Sequence, residues 1–396
     1  FRAICYFELT TLWGTPPLVD RVLKNSEEYK VPNSTAEQLW KFMETDLTEA
    51  ITSGKLTSKT SLEDRDGGTR ATLEAARCLL GKIYLYQEKY ADAKSELEKV
   101  ISSGKYDLIA DVSTFYHPAS AGCKEYVLEC VRHYDPSNMY SQEGWFGILA
   151  NWGFGYGFIA GPEASMHYKF NTTSGYSYFN PSKSLYDAFV AEEGADGYRL
   201  NAWIRTWEQV IAMNIAVNTT TNKYASEGYF RLKWLASTDD EFVGYWCGNQ
   251  SNTPVIRYAD VLLMAAEACL QAGDQAGADE YLGRVRDRAR LPRKSHVTLS
   301  DIKLERRLEL AMEGMRFQDL KRWGDAPAVL ADKGKKLPTF QIVPDPNNDL
   351  TTAAGIYNAR YTTKTTYVDN EKSLAGWTPN RDEWLPFPEN ELEVNS

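Results

Sequence analysis

The stretch from Glu74 to Asp107 constrains the fold more than any other part of the chain. Within it Leu80, Gly81, Tyr84, Tyr90, Ala93 and Leu97 alternate small and large side chains at the spacing of two helices folded back on each other. Gly81 and Ala93 let the helix axes approach, and Leu80, Tyr84 and Leu97 fill the space between them. Thr69 or Thr72 suits the cap of the first helix, and Gly104 the end of the second.

A second unit runs from Pro254 to Pro292. Val255, Leu262, Ala266 and Cys269 recur at helical spacing, Gly273 breaks the helix, and Ala278, Leu282 and Val285 rebuild it. Ala266 and Ala278 take the small positions. Both units match the tetratricopeptide pattern, whose period is about 34 residues. Asn33 to Ile51 and Ser300 to Leu330 add amphipathic helices, the latter opened by Ser300-Asp301. A free-standing solenoid needs about three units, so this scaffold must lean on other segments. The expected fold class is mainly α: a tetratricopeptide-like helical-repeat scaffold, a loop-rich and aromatic-rich region, and a few short strands. One domain spans 1–396, with scaffold in 1–107 and 254–333, a loop-rich ligand-binding region in 108–253 and an irregular tail in 334–396.

Charge narrows the partners. Lys plus Arg number 44 against 54 Asp plus Glu, for a net charge of −10 with no basic run, which argues against nucleic acid. No apolar stretch approaches the ~18 residues of a membrane span. Phe1 begins inside an apolar helical pattern without a cap, so an N-terminal part is expected to precede it. The 6 cysteines are scattered; Cys5, Cys78 and Cys269 read as small core residues, and Cys123 and Cys130 as free thiols or a pair. Among His117, His133, His167 and His296 no two are three or four apart, so no zinc site and no cofactor are expected.

Glu305, Glu309 and Glu313 recur every four residues and share a helix face. They read as an acid/base or metal site, or as a structural ion-pair network. The network is preferred, with Arg284 and Arg288 as partners and Arg257, Arg316 and Arg322 as further candidates. Asp345 to Asp349 resembles the opening of a calcium loop, but Leu350 and Ile356 replace the required Gly and Glu, favouring a surface turn. No phosphate loop, dinucleotide fingerprint or hydrolase motif is present, and no catalytic residue is assigned. A glycosidase pair involving Glu143 or Glu163 is the enzymatic alternative.

The binding signal is aromatic. Six of the 11 tryptophans lie between Tyr134 and Trp246, among Gly, Asn, Ser and Thr. Sugar rings stack their C–H faces on indoles, while amides bind their hydroxyls. Trp145, Asn151, Trp152 and Tyr156, with Tyr245, Trp246, Asn249 and Gln250, are therefore the candidate ligand-binding residues. Trp203, Trp207 and Trp234 are the next candidates.

Ordered blocks complete the picture: Leu12-Trp13-Gly14 through Pro17-Leu18; Asn180 to Phe189 with Asp196-Gly-Tyr-Arg199; Ile256 to Glu267; Val285 to Ala289; Glu305-Arg306-Arg307-Leu-Glu309 with Glu313-Gly314-x-Arg316, Asp319 and Arg322-Trp323-Gly324; and Leu385-Pro386-Phe387-Pro388-Glu389-x-Glu391. Together they resemble the SusD/RagB family of bacterial outer-membrane nutrient-binding lipoproteins. The resemblance implies a non-catalytic, surface-exposed outer-membrane protein. It would hold an oligosaccharide or polysaccharide, deliver it to a SusC-like TonB-dependent transporter, and be anchored by an N-terminal lipidated cysteine that is not in this chain. A peptide-binding relative, or a pure tetratricopeptide interaction scaffold, is the alternative.

Overall fold

A computed structural model describes residues 1–131, 158–159, 180–206, 208–209, 216–217, 223–224, 227–233, 252–349, 351–352, 355, 360–370 and 375–389. Helix predominates among them. Four helices come first: α1 (Arg2–Trp13), α2 (Ala36–Thr52), α3 (Leu73–Tyr86) and α4 (Tyr90–Ile101). After β1 (Tyr126–Cys130) come α5 (Lys183–Glu193), α6 (Tyr198–Trp203), β2 (Ile204–Thr206), β3 (Tyr229–Arg231) and β4 (Thr253–Arg257). The chain closes with α7 (Tyr258–Gln271), α8 (Gln275–Arg288), α9 (Leu299–Glu309), α10 (Arg316–Arg322), β5 (Lys336–Pro344) and β6 (Tyr361–Asp369).

The scaffold is a row of helices in which α1 packs on α2, α2 on α3, α3 on α4, α4 on α7 and α7 on α8. The first repeat is α3–α4. A Cβ on Gly81 would lie 2.7 Å from Leu97 Cγ, so the missing side chain sets how closely the two helices meet. Ala93 and Leu97 are fully buried. Thr72, not Thr69, caps α3 by accepting from the Ala75 amide at 3.0 Å. The second repeat is α7–α8, with Ala266 and Ala278 fully buried and Gly273 at φ +82°. Val255 belongs instead to β4 and is exposed, because the chain is still extended there.

Two further expectations are corrected. The segment from Ser300 to Leu330 is not one helix: α9 ends at Glu309, a turn follows, and α10 begins at Arg316. Its cap is Thr298, which forms a capping box with Asp301, so the helix starts earlier than Ser300 suggests. Cys5 is exposed, because α1 buries the face carrying Ala3, Tyr6, Phe7 and Thr10. Cys78 and Cys269 are buried, and Cys123 and Cys130 are free thiols.

In the C-terminal part β5 and β6 form a nine-residue antiparallel pair from Lys336↔Asp369 to Pro344↔Tyr361, longer than the short strands expected there. The turn after β5 uses its own acids: Asp345 Oδ1 accepts the Asn347 amide at 2.9 Å, and Asp349 Oδ1 accepts the Thr351 amide at 2.9 Å. Strands β1 and β4 pair antiparallel, Cys130 opposite Thr253 and Tyr126 opposite Arg257.

Candidate functional site

The carboxylate stripe is a sealed ion-pair core. Arg199, at the start of α6, donates to Glu193 at 2.7 Å, Glu305 at 2.5 Å and Glu309 at 3.0 Å. Arg257, which precedes α7, reaches Glu125 at 2.7 Å, Glu309 at 3.1 Å and Glu313 at 2.6 Å. Arg288 binds Glu125 at 3.1 Å and also Glu309, while Arg286 binds Glu305 at 3.1 Å and Glu192 at 2.6 Å. Lys233 Nζ adds a 2.6 Å contact to Glu313 and lies 3.8 Å from the centre of the Trp203 ring.

The Glu305 and Glu309 side chains are 1% and 0% exposed, which leaves a substrate no route to them. Burial alone would raise the Glu309 carboxyl, but Arg288, Arg257 and Arg199 outweigh it and hold it well below the ordinary carboxylate range. The expectation of arginine partners, Arg288 and Arg257 included, therefore holds. Arg284 is not among them: it faces Asp107 at 3.4 Å and the Tyr258 hydroxyl at 3.2 Å. Arg322 instead serves a neighbouring cluster, binding Glu267 at 2.5 Å and Asp319 at 2.9 Å, and Arg316 meets none of the three glutamates. Trp203 is buried in the core, its Nε1 donating to Val112 O at 3.1 Å.

Glu98, Cys269 and Asp274 bring their polar atoms within 4.8 Å of one another. Lys94 Nζ already stands 2.6 Å from Asp274, and burial pushes the Cys269 thiol up to about 12, so the cluster carries its own counter-cation and a protonated sulfur.

Open space lies elsewhere. A cavity of about 340 Å³ is walled by Trp13, Trp40, Tyr86 and Trp384 with Thr10, Gln318, Lys321 and Glu383; this is within the range of about 300–1,000 Å³ usual for small-molecule sites. It forms where the C-terminal segment docks on the end of α1. The Leu385 amide donates to Leu12 O at 2.7 Å and Trp13 Nε1 to Pro386 O at 3.2 Å. Gly14 makes the approach possible, since a Cβ there would lie 3.0 Å from the Trp384 ring. Lys321 Nζ is tied to Thr11 O and, at 2.6 Å, to Glu383 O, and it sits 4.1 Å from the centre of the Trp384 ring. Two polar atoms of the lining residues, Thr10 Oγ1 and Glu383 Oε2, are buried without a hydrogen-bond partner among the described residues. The indole faces suit the apolar C–H face of a ring-shaped polyol, while the two orphaned oxygens are sealed from the cavity.

The sequence-predicted residues Trp145, Asn151, Trp152, Tyr156, Tyr245, Trp246, Asn249 and Gln250 lie outside the described residues, as do Trp207, Trp234, Glu143 and Glu163. Sequence reading missed the Trp13–Trp40–Trp384 cavity because its walls come from five stretches distant in sequence. One of them, within Leu12–Leu18, stood out only as a scaffold block, as did Leu385–Glu391, which follows Trp384.

The described residues thus combine a tetratricopeptide-type helical scaffold with an aromatic cavity. The sequence profile of the SusD family matches residues 124–396. The chain belongs to the SusD family. A SusD-like protein of Bacteroides ovatus is 25% identical over 81% of this chain, which spans 57% of that relative's length. SusD-like protein P2 of Formosa agariphila is 25% identical over 88% of this chain and 67% of its own. Among solved structures, a laminarin-binding SusD-like protein superposes with a TM-score of 0.71 at 30% identity, covering 84% of this chain and 71% of that one. Surface glycan-binding protein A of Bacteroides thetaiotaomicron, in complex with laminarihexaose, gives a TM-score of 0.66 at 25% identity, covering 84% of this chain and 69% of that one.

Proposed function

We propose that this chain is a non-catalytic glycan-binding protein of the bacterial outer surface. It captures an oligosaccharide and delivers it to a TonB-dependent transporter of the outer membrane, held at the membrane by a lipid anchor. The observation that carries this reading is the likeness, at 30% identity over 84% of the chain, to a protein that binds laminarin. The chemistry agrees with it. The carboxylates that most resembled an acid/base site are consumed in ion pairs, and the described cavity offers indole faces. On this reading the sugar is held by that cavity or by the aromatic residues Trp145, Trp152, Tyr156 and Trp246.

A glycan array that includes laminarihexaose, followed by calorimetry on the ligand it finds, tests the proposal. Affinity is expected between about micromolar and millimolar, with the glycan recovered uncut. Retention of no glycan, or release of new reducing ends, overturns it. The delivery step is tested separately, by acylation of the full-length protein and its co-purification with a transporter from outer membranes; an unacylated, purely cytosolic protein overturns that part.

A further inference from the structure

A second cleft, of about 450 Å³, opens between α9, α10 and the start of α5, lined by three arginines, Arg306, Arg307 and Arg316, and by Asp319. Arg307 spends one nitrogen on Ser184, donating to its hydroxyl at 2.8 Å and its carbonyl at 3.0 Å. Arg316 has no hydrogen-bond or ion-pair partner among the described residues. The carboxylates that attract it are already engaged: Asp319 by Arg306 and Arg322, each at 2.9 Å, and Asp325 by Lys303 at 2.7 Å. The contrast with the adjacent Arg306 is direct, since that side chain is clamped between Asp260 at 2.7 Å and Asp319.

The Arg307 and Arg316 guanidiniums are half-buried. Burial pushes Arg316 below the usual arginine value and Arg307 pushes it further, so the pair repel each other inside the cleft. Neither guanidinium has a carboxylate of its own, so an anion entering the cleft would relieve the repulsion between them. Guanidinium forks match the planar geometry of oxyanions, and the Ser182 and Ser184 hydroxyls add donors at the mouth. The remaining wall combines the Arg306–Asp319 ion pair with apolar Leu185, Leu310, Met312, Phe317 and Leu330.

We propose that this cleft is a binding site for an oxyanion, a carboxylate or sulfate, carried on an apolar or ring-shaped body. The proposal is independent of the glycan reading, because the arginines and the cleft stand whether or not a neutral sugar binds elsewhere. Sodium benzoate and glucose 6-sulfate are the probes, with benzamide and glucose as neutral counterparts. They are compared at constant ionic strength by thermal shift and calorimetry. At least one anion should bind saturably, its neutral counterpart should not, and Arg316→Gln should weaken that anion at least tenfold. Binding of benzoate alone assigns the cleft to apolar carboxylic acids; binding of glucose 6-sulfate alone assigns it to sulfated sugars. Without ligand, Arg316→Gln should melt at or above the native temperature, since it removes an unpaired charge. Saturable binding of neither anion, equal binding of the neutral counterparts, or unchanged affinity in Arg316→Gln overturns the proposal. So does a lower melting temperature of unliganded Arg316→Gln, which would mean that the guanidinium serves the fold.

Discussion

Arg257 grips Glu309 with both terminal nitrogens, Nη1 and Nη2 each 3.1 Å from Oε1, across 52 residues of sequence. This contact ties the strand that enters the second repeat to the last turn of α9. Removing one member of a buried pair leaves its partners charged and unsolvated, at a cost of about 3–5 kcal/mol. Glu309→Gln should therefore unfold at markedly lower denaturant while Glu280→Gln, on an exposed pair, changes little. Equal midpoints for the two variants would show that the core does not depend on this charge.

The first repeat is tuned by an absence. With Leu97 Cγ 2.7 Å from where a Cβ would sit, Gly81→Ala must separate α3 from α4 or displace Leu97. The expected loss is about 1–3 kcal/mol, as for overpacked cores. Combining it with Leu97→Ala should cost less than the sum of the two changes, because the methyl then enters vacated space. Strict additivity in urea titrations would place the conflict elsewhere.

Acid should loosen the start of α9. Partial burial works against it, but Lys294 and Thr298 hold the Asp301 carboxyl at about 2, below its ordinary 3.8. A carboxyl depressed in the folded state stabilises above its unfolded value and stops doing so as pH falls through its folded one. Wild type should thus exceed Asp301→Asn by about 0.5–1 kcal/mol at pH 6, a value scaled down for a partly exposed group. The gap should shrink between pH 4 and 2. A gap that stayed constant across that range would assign the effect to shape rather than charge.

The aromatic cavity makes a separable prediction. Trp384 is 46% exposed, so its truncation leaves the helical core in place. Trp384→Ala should weaken the array-identified glycan by about 1–2 kcal/mol with little change in melting temperature. Trp152→Ala and Trp246→Ala, measured alongside, report on the aromatic segment. Unaltered affinity in Trp384→Ala together with a large loss in the other two would confine the sugar to that segment.

The helical repeats were legible because a small residue facing a large one is a local pattern: Gly81 lies only 16 positions from Leu97. The acidic stripe was legible for the same reason, but its partners were only half so. Arg257 and Arg288 could be named, whereas Arg199 and Lys233 arrive from separations of 110 and 76 residues that no periodicity encodes. Arg284 misled because its helical neighbours suggest a core-facing side, while in fact it points at Asp107. The cavity of Trp13, Trp40 and Trp384 was invisible for a related reason: each indole alone reads as ordinary packing, and only the docking of Leu385 on Leu12 brings them together.

Two chain positions are held far from their sequence neighbours: Cys130, at the end of β1, lies opposite Thr253 at the start of β4, and Lys233, just past β3, is locked to Glu313. The scaffold is thereby pinned at points 80 or more residues apart in sequence. Doubling the length of chain between two such fixed points adds only about 0.6 kcal/mol of closure entropy. Insertions between these anchors would therefore leave the foundations almost as stable as before.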